Sequence, residues 1–88
     1  MYQIRLSRRA EKDLAEIPPD HRVHIERALK RFAEHPELRH DVVKIRDSPQ
    51  VVPRYRIRIG DYRATFFIWH DILLIEIITI GKKKNFEY

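Results

Sequence analysis

Nine consecutive residues, Tyr55-Arg-Ile-Arg-Ile-Gly-Asp-Tyr-Arg63, constrain the fold of this chain more than any other segment. Side chains alternate across a strand, which puts Tyr55, Ile57 and Ile59 on one face and Arg54, Arg56 and Arg58 on the other. Gly60-Asp61 suits a two-residue hairpin loop, because glycine at the first central position admits the primed turns whose twist matches paired strands. Such a loop sets Ile59 opposite Tyr62 and Arg58 directly opposite Arg63. Like charges facing each other across a ladder cost about 0.2–1 kcal/mol. A bound anion removes that cost, and guanidinium groups present fork-shaped donors that match phosphate oxygens in pairs. The plainer reading is that the arginines solubilise a sheet covered on one side only and protect its edge from aggregation.

The distribution of charge favours anion binding. Residues 54–88 hold seven Lys and Arg against four Asp and Glu, with Lys82, Lys83 and Lys84 placed just after the last expected strand, whereas residues 1–53 hold eleven against nine. A net charge of +5 suits a polyanionic partner or an acidic protein without choosing between them. The chain has no cysteine, which excludes disulfides and thiol catalysis and fits a reducing compartment. The apolar run Ala64–Ile80 carries His70, Asp71 and Glu76, too polar a set for a membrane span. No apolar N-terminal export segment is visible, so the expected location is the cytoplasm.

Eighty-eight residues suit one domain, expected over 1–88. Tyr2–Leu6 alternates as a first strand. Ser7 is placed to cap a helix whose apolar positions are Ala10, Leu14 and Ile17, and Pro18-Pro19 ends it. Asp20 is the expected cap of a second helix, with Val23, Ile25, Leu29 and Phe32 as its buried stripe until Pro36. Val42–Ile45 reads as a short strand, residues 47–53 as a loop, and 54–59, 62–69 and 72–80 as further strands. A two-residue loop at His70-Asp71 pairs Trp69 with Ile72 and Thr65 with Glu76, which sets Glu76 beside Arg56. Leu73, Ile75 and Ile77 then face the helices with Tyr55, Ile57, Ile59, Ala64, Phe66 and Ile68. The expected fold class is α+β, with an N-terminal strand and a two-helix hairpin packed on one face of a mainly antiparallel, four- to five-stranded twisted sheet.

The opposite face would carry the chemistry. Arg54, Arg56, Arg58 and Arg63, flanked by Lys82, Lys83 and Lys84, are placed to hold several phosphates of a single-stranded nucleic acid. Phe67 and Trp69 lie on the same face, where they can stack on bases or instead cover the sheet or a partner. Cations that bind a phosphodiester also stabilise the charge that grows on it when a neighbouring 2′-hydroxyl attacks. Arginine stays protonated and cannot serve as a base. Lys83 can donate a proton, or accept one if neighbouring cations depress its pKa, and Tyr88 can stack or shuttle a proton. Glu76 is a further candidate base or counter-ion. His21 and His24 lack a third metal ligand, Ser7 and Ser48 have ordinary cap and loop roles, and no Gly-rich phosphate loop or nucleophile elbow occurs.

The order strand, two helices, antiparallel sheet, together with the Tyr55–Arg63 segment and the terminal Gly-Lys-Lys-Lys-Asn-Phe-Glu-Tyr, resembles the RelE toxin family over essentially the whole chain. That resemblance implies the toxin of a type II toxin–antitoxin pair that enters the ribosomal A site and cuts messenger RNA by 2′-hydroxyl attack, without metal or cofactor, until a RelB-like antitoxin wraps and blocks it. It implies catalytic roles for Arg56, Arg58, Arg63, Lys83 and Tyr88, beside the RNA binding by Arg54, Lys82, Lys84, Phe67 and Trp69 expected from the sheet face itself. Some members carry at the Arg56 position a lysine able to act as base, and an arginine where this chain has Lys83. The related ParE toxins share the fold but inhibit DNA gyrase and lack the basic catalytic set. A degenerate toxin that retains only antitoxin or RNA binding is a third reading.

Overall fold

The computed structural model describes residues 1–38, 40–45 and 52–83. Strand β1 (Gln3–Leu6) leads into helices α1 (Arg8–Ala15) and α2 (Pro19–Glu34), followed by strands β2 (Val42–Lys44), β3 (Tyr55–Ile59), β4 (Tyr62–Trp69) and β5 (Leu74–Lys82). The strands form one sheet in the order β1-β5-β4-β3-β2, antiparallel except for the parallel pair β1–β5. This is the expected architecture of two helices on one face of a five-stranded sheet.

Ser7 ties the first helix to the sheet. Its Oγ accepts the Ala10 amide at 3.0 Å, capping α1, and donates to the Ile78 carbonyl at 2.8 Å. Pro19 occupies the opening turn of α2, where a missing N–H costs nothing, so this helix starts before the expected Asp20 cap. Asp20 lies instead in the first turn, where its charge suits the helix dipole. Arg22 closes the connection by donating from Nη2 to the Ala15 and Ile17 carbonyls at 3.1 and 3.0 Å.

Ile25, Leu29, Phe32 and Ala33 repeat at helical spacing and pack α2 on Ile57, Ile59, Ala64, Phe66, Ile75 and Ile77. Val23, expected in this stripe, is 47% exposed, because it lies more than half a turn around the helix from Ile25. The β4–β5 connection also differs from expectation. It takes four residues, including a 3-10 turn at His70–Ile72, and pairs Trp69 with Leu74 and Phe67 with Glu76. A shift of two residues preserves the facing of side chains, so Ile75 and Ile77 stay in the core. Leu73 does not, since it falls in the connection. Further along, a bulge pairs Thr65 with Thr79 but Phe66 with Ile77, leaving Ile78 as the extra residue and bringing Ile80 into the core. It is the carbonyl of this extra residue that Ser7 satisfies.

Leu73 has φ 51° and ψ 50°, a left-handed conformation that costs a non-glycine residue about 1–2 kcal/mol. Its side chain is half exposed and contributes little packing. Leu73→Gly is therefore expected to stabilise the fold by about 0.5–1 kcal/mol after the added unfolded-state entropy of glycine. The thermal midpoint should rise by roughly 2–8 °C in a circular-dichroism melt. An unchanged or lower midpoint would contradict strain at this position.

Candidate functional site

The β3–β4 hairpin builds the site. Gly60 has φ +59° and Asp61 is not left-handed, the pattern of a turn that needs glycine first. Arg58 pairs with Arg63 and Arg56 with Thr65, the register expected from the sequence. The helices and the core occupy the other face, which leaves the arginine face of β3 and β4 uncovered by either helix.

The facing charges of Arg58 and Arg63 are resolved within the chain. Arg58 donates from Nη2 and Nε to a single carboxylate oxygen, Oδ2 of Asp41, at 3.0 and 3.2 Å. The Arg58 amide also donates to the Asp41 carbonyl at 2.9 Å. Arg63 folds back over its own turn, where Nη1 donates to the Gly60 and Tyr62 carbonyls at 3.0 and 2.8 Å. It is only 8% exposed, although the sequence places it on the face of the sheet opposite the helices. The turn carbonyls draw it in, and they compensate the desolvation of its charge. The side chain of half-buried Arg56 has no hydrogen-bond or ion-pair partner among the described residues.

His40, Asp41, Val43, Arg56, Arg58 and Arg63 line an open cleft of about 400 Å³. His40 donates from Nε2 to the His35 carbonyl at 2.8 Å, and its ring packs edge-on to Phe32 at 5.0 Å. Sequence reading missed Asp41 and His40 because they precede a strand of three residues. The signal lay in the register, since pairing Val42 with Ile57 carries Asp41 to Arg58.

The other expected residues spread away from this cleft. The Arg54 guanidinium lies 5.6 Å from the centre of the Phe67 ring, and Phe67 contacts Trp69 at 5.8 Å. The Trp69 indole donates to Glu76 Oε1 at 3.2 Å, while Glu76 Oε2 is 3.6 Å from Arg5. Glu76 is thus paired with Arg5 and Trp69 rather than set beside Arg56, because the longer β4–β5 connection slides it along the sheet. Lys82 belongs to β5 and pairs with Tyr62, so it lies on the helix side of the sheet near Asp13 and Glu16, away from the arginines. The Lys83 amide donates to the Asp61 carbonyl at 2.9 Å, which fixes its backbone beside the hairpin turn. Lys84 and Tyr88 lie outside the described residues. His21 bonds the Tyr62 hydroxyl at 2.9 Å. No helix among the described residues is long and apolar enough to cross a membrane.

Three guanidinium groups and one carboxylate in one open cleft can grip a phosphodiester, stabilise charge on its oxygens and exchange protons with it. Solved structures share this fold. A chain of the archaeal RelE–RelB complex from Pyrococcus horikoshii OT3 matches with a TM-score of 0.70 and 23% identity, over 93% of this chain and 94% of the other. A chain of the intact E. coli RelBE toxin–antitoxin complex matches with a TM-score of 0.74 and 21% identity, over 93% and 96%. In sequence, a Methanocaldococcus jannaschii protein that carries the name toxin RelE1 is 26% identical, over 96% of this chain and 92% of its own length. The family model described as the ParE toxin of type II toxin–antitoxin systems, parDE, matches residues 4–85. The chain therefore belongs to the ParE toxin family of type II toxin–antitoxin systems, within the RelE/ParE superfamily.

Proposed function

We propose that this toxin is an endoribonuclease that inhibits translation by cutting messenger RNA in the ribosomal A site. The observation that carries this reading is the cleft of Arg56, Arg58 and Arg63, in which the Arg56 guanidinium has no partner among the described residues. Three guanidinium groups converging on one open cleft suit a phosphate with charge developing on its oxygens. Arg56 and Arg63 would hold the non-bridging oxygens while the 2′-hydroxyl attacks, and Lys83, Lys84 and Tyr88 would assist from the end of the chain. Arg54, stacked on Phe67, would bind the neighbouring stretch of RNA, and Trp69 would lie beyond it. Nothing in this chemistry calls for a metal or a cofactor. The relatives seen in complexes with RelB support a RelB-like antitoxin as the partner that blocks the toxin. Ribosomes and messenger RNA place the action in the cytoplasm.

A second reading, inhibition of DNA gyrase, is favoured by the ParE description of the matching family model. The expectation that gyrase inhibitors lack the basic catalytic set argues against it, since this chain retains Arg56, Arg58 and Arg63 in one cleft. Adding the purified chain to a cell-free translation reaction and, separately, to a gyrase supercoiling reaction separates the two. Arrested translation with fragmented mRNA and normal supercoiling is expected. Intact mRNA with blocked supercoiling would establish the second reading instead.

A further inference from the structure

We infer that Asp41 is the proton acceptor of the cleavage reaction, an assignment that rests on the ribonuclease reading. The attacking 2′-hydroxyl must lose a proton, the arginines that line the cleft cannot take it, and the His40 ring packs on Phe32 and bonds the His35 carbonyl. Among the described residues lining the cleft, Asp41 supplies the carboxylate. Its placement is specified twice, by the backbone bond from Arg58 at 2.9 Å and by the two guanidinium bonds at 3.0 and 3.2 Å. Both side-chain bonds fall on Oδ2, so among the described residues Oδ1 keeps its lone pairs for substrate. The side chain is 59% exposed and within reach of a ligand entering from solvent.

Oδ1 of Asp41 takes the 2′-hydroxyl proton while the 2′-oxygen forms a bond to phosphorus. The bond from phosphorus to the 5′-oxygen breaks, and its electron pair leaves on that oxygen, which takes a proton from solvent. The products are a 2′,3′-cyclic phosphate and a 5′-hydroxyl, and Asp41 returns its proton to solvent. Arg58 has a double task, since it orients Asp41 through Nε and Nη2 and stands beside the phosphate held by Arg56 and Arg63.

The test compares wild type, Asp41→Asn and Asp41→Glu in single-turnover cleavage of mRNA bound to ribosomes. Affinity is measured in parallel on the same complexes with a 2′-deoxy substitution at the cleavage site, which cannot react. Asp41→Asn keeps the backbone bond to Arg58 and removes the base, so the cleavage rate should fall by about 100-fold or more. Affinity for the unreactive RNA should hold or improve, because a competing anion is lost from Arg58. Asp41→Glu should recover part of the rate, which a purely structural role for the side chain would not require. Circular dichroism confirms folding of each variant. Cleavage by Asp41→Asn within a few-fold of wild type would overturn the assignment while leaving the ribonuclease reading intact. A loss of rate explained entirely by lost affinity would make Asp41 a binding residue and overturn it as well. Absence of cleavage by wild type would overturn both.

Discussion

Arg56→Ala is expected to lower the rate of mRNA cleavage by about 10²–10³-fold while the protein stays folded, the usual effect of removing one preorganised donor from a developing oxyanion. Arg56 is the cleanest probe of the cleft because its guanidinium has no partner among the described residues. Alanine therefore orphans no described hydrogen-bonding group, and the loss of packing along the aliphatic stem is small. Arg63 and Arg58 are worse probes. Arg63→Ala strips the Gly60 and Tyr62 carbonyls of their donor, which costs about 1–3 kcal/mol where such groups stay dry. Arg58→Ala releases Asp41 and so changes two charges of the cleft at once. Binding gives a second reading of Arg56. If its guanidinium neutralises one phosphate of single-stranded RNA, the slope of log affinity against log salt should fall in magnitude by about 0.7 in the variant. A lost rate with an unchanged slope would mean that Arg56 acts on the transition state alone.

The largest effect on stability is expected at Phe66. Its ring is fully buried, edge-on to Phe32 at 5.4 Å and stacked with Tyr55 at 5.8 Å, where α2 meets the centre of the sheet. Phe66 also stands next to the bulge, so its facing depends on the same register that brings Ile77 and Ile80 into the core. Phe66→Ala removes that contact area and leaves a cavity between α2 and β4, at a cost of about 3–5 kcal/mol. Small domains have total stabilities of about 5–15 kcal/mol. The variant should therefore unfold at a much lower urea concentration, with a transition of similar steepness, in an equilibrium titration followed by circular dichroism. A midpoint near that of wild type would mean that α2 does not rest on β4 as described.

Much of the fold follows from local pattern. The Tyr55–Arg63 segment combines strict alternation with a glycine placed for the turn, and its register stands as expected. Helix positions follow from prolines and apolar spacing. The departures come from features that local pattern does not encode. The β4–β5 connection was expected at two residues and has four, because the 3-10 turn and the left-handed Leu73 carry no glycine to announce them. The bulge at Ile78 is visible only once Ser7 is seen to satisfy its carbonyl across 71 positions of sequence. Lys82 looked like one of a run of three cations, but the strand continues through it and turns it to the helix side. Asp41 was invisible for a related reason. Its importance arises from the pairing of β2 with β3, a long-range register that a strand of three residues hardly specifies.

The most direct test of the cleft as the centre of ribonuclease activity is primer extension on a defined mRNA, with and without ribosomes, comparing wild type with Arg56→Ala. Wild type should produce discrete cuts only on ribosome-bound mRNA, and Arg56→Ala, shown to be folded, should lose them. Equal cutting by the two proteins would contradict a catalytic role for the cleft, and no cutting by wild type would contradict the ribonuclease reading itself.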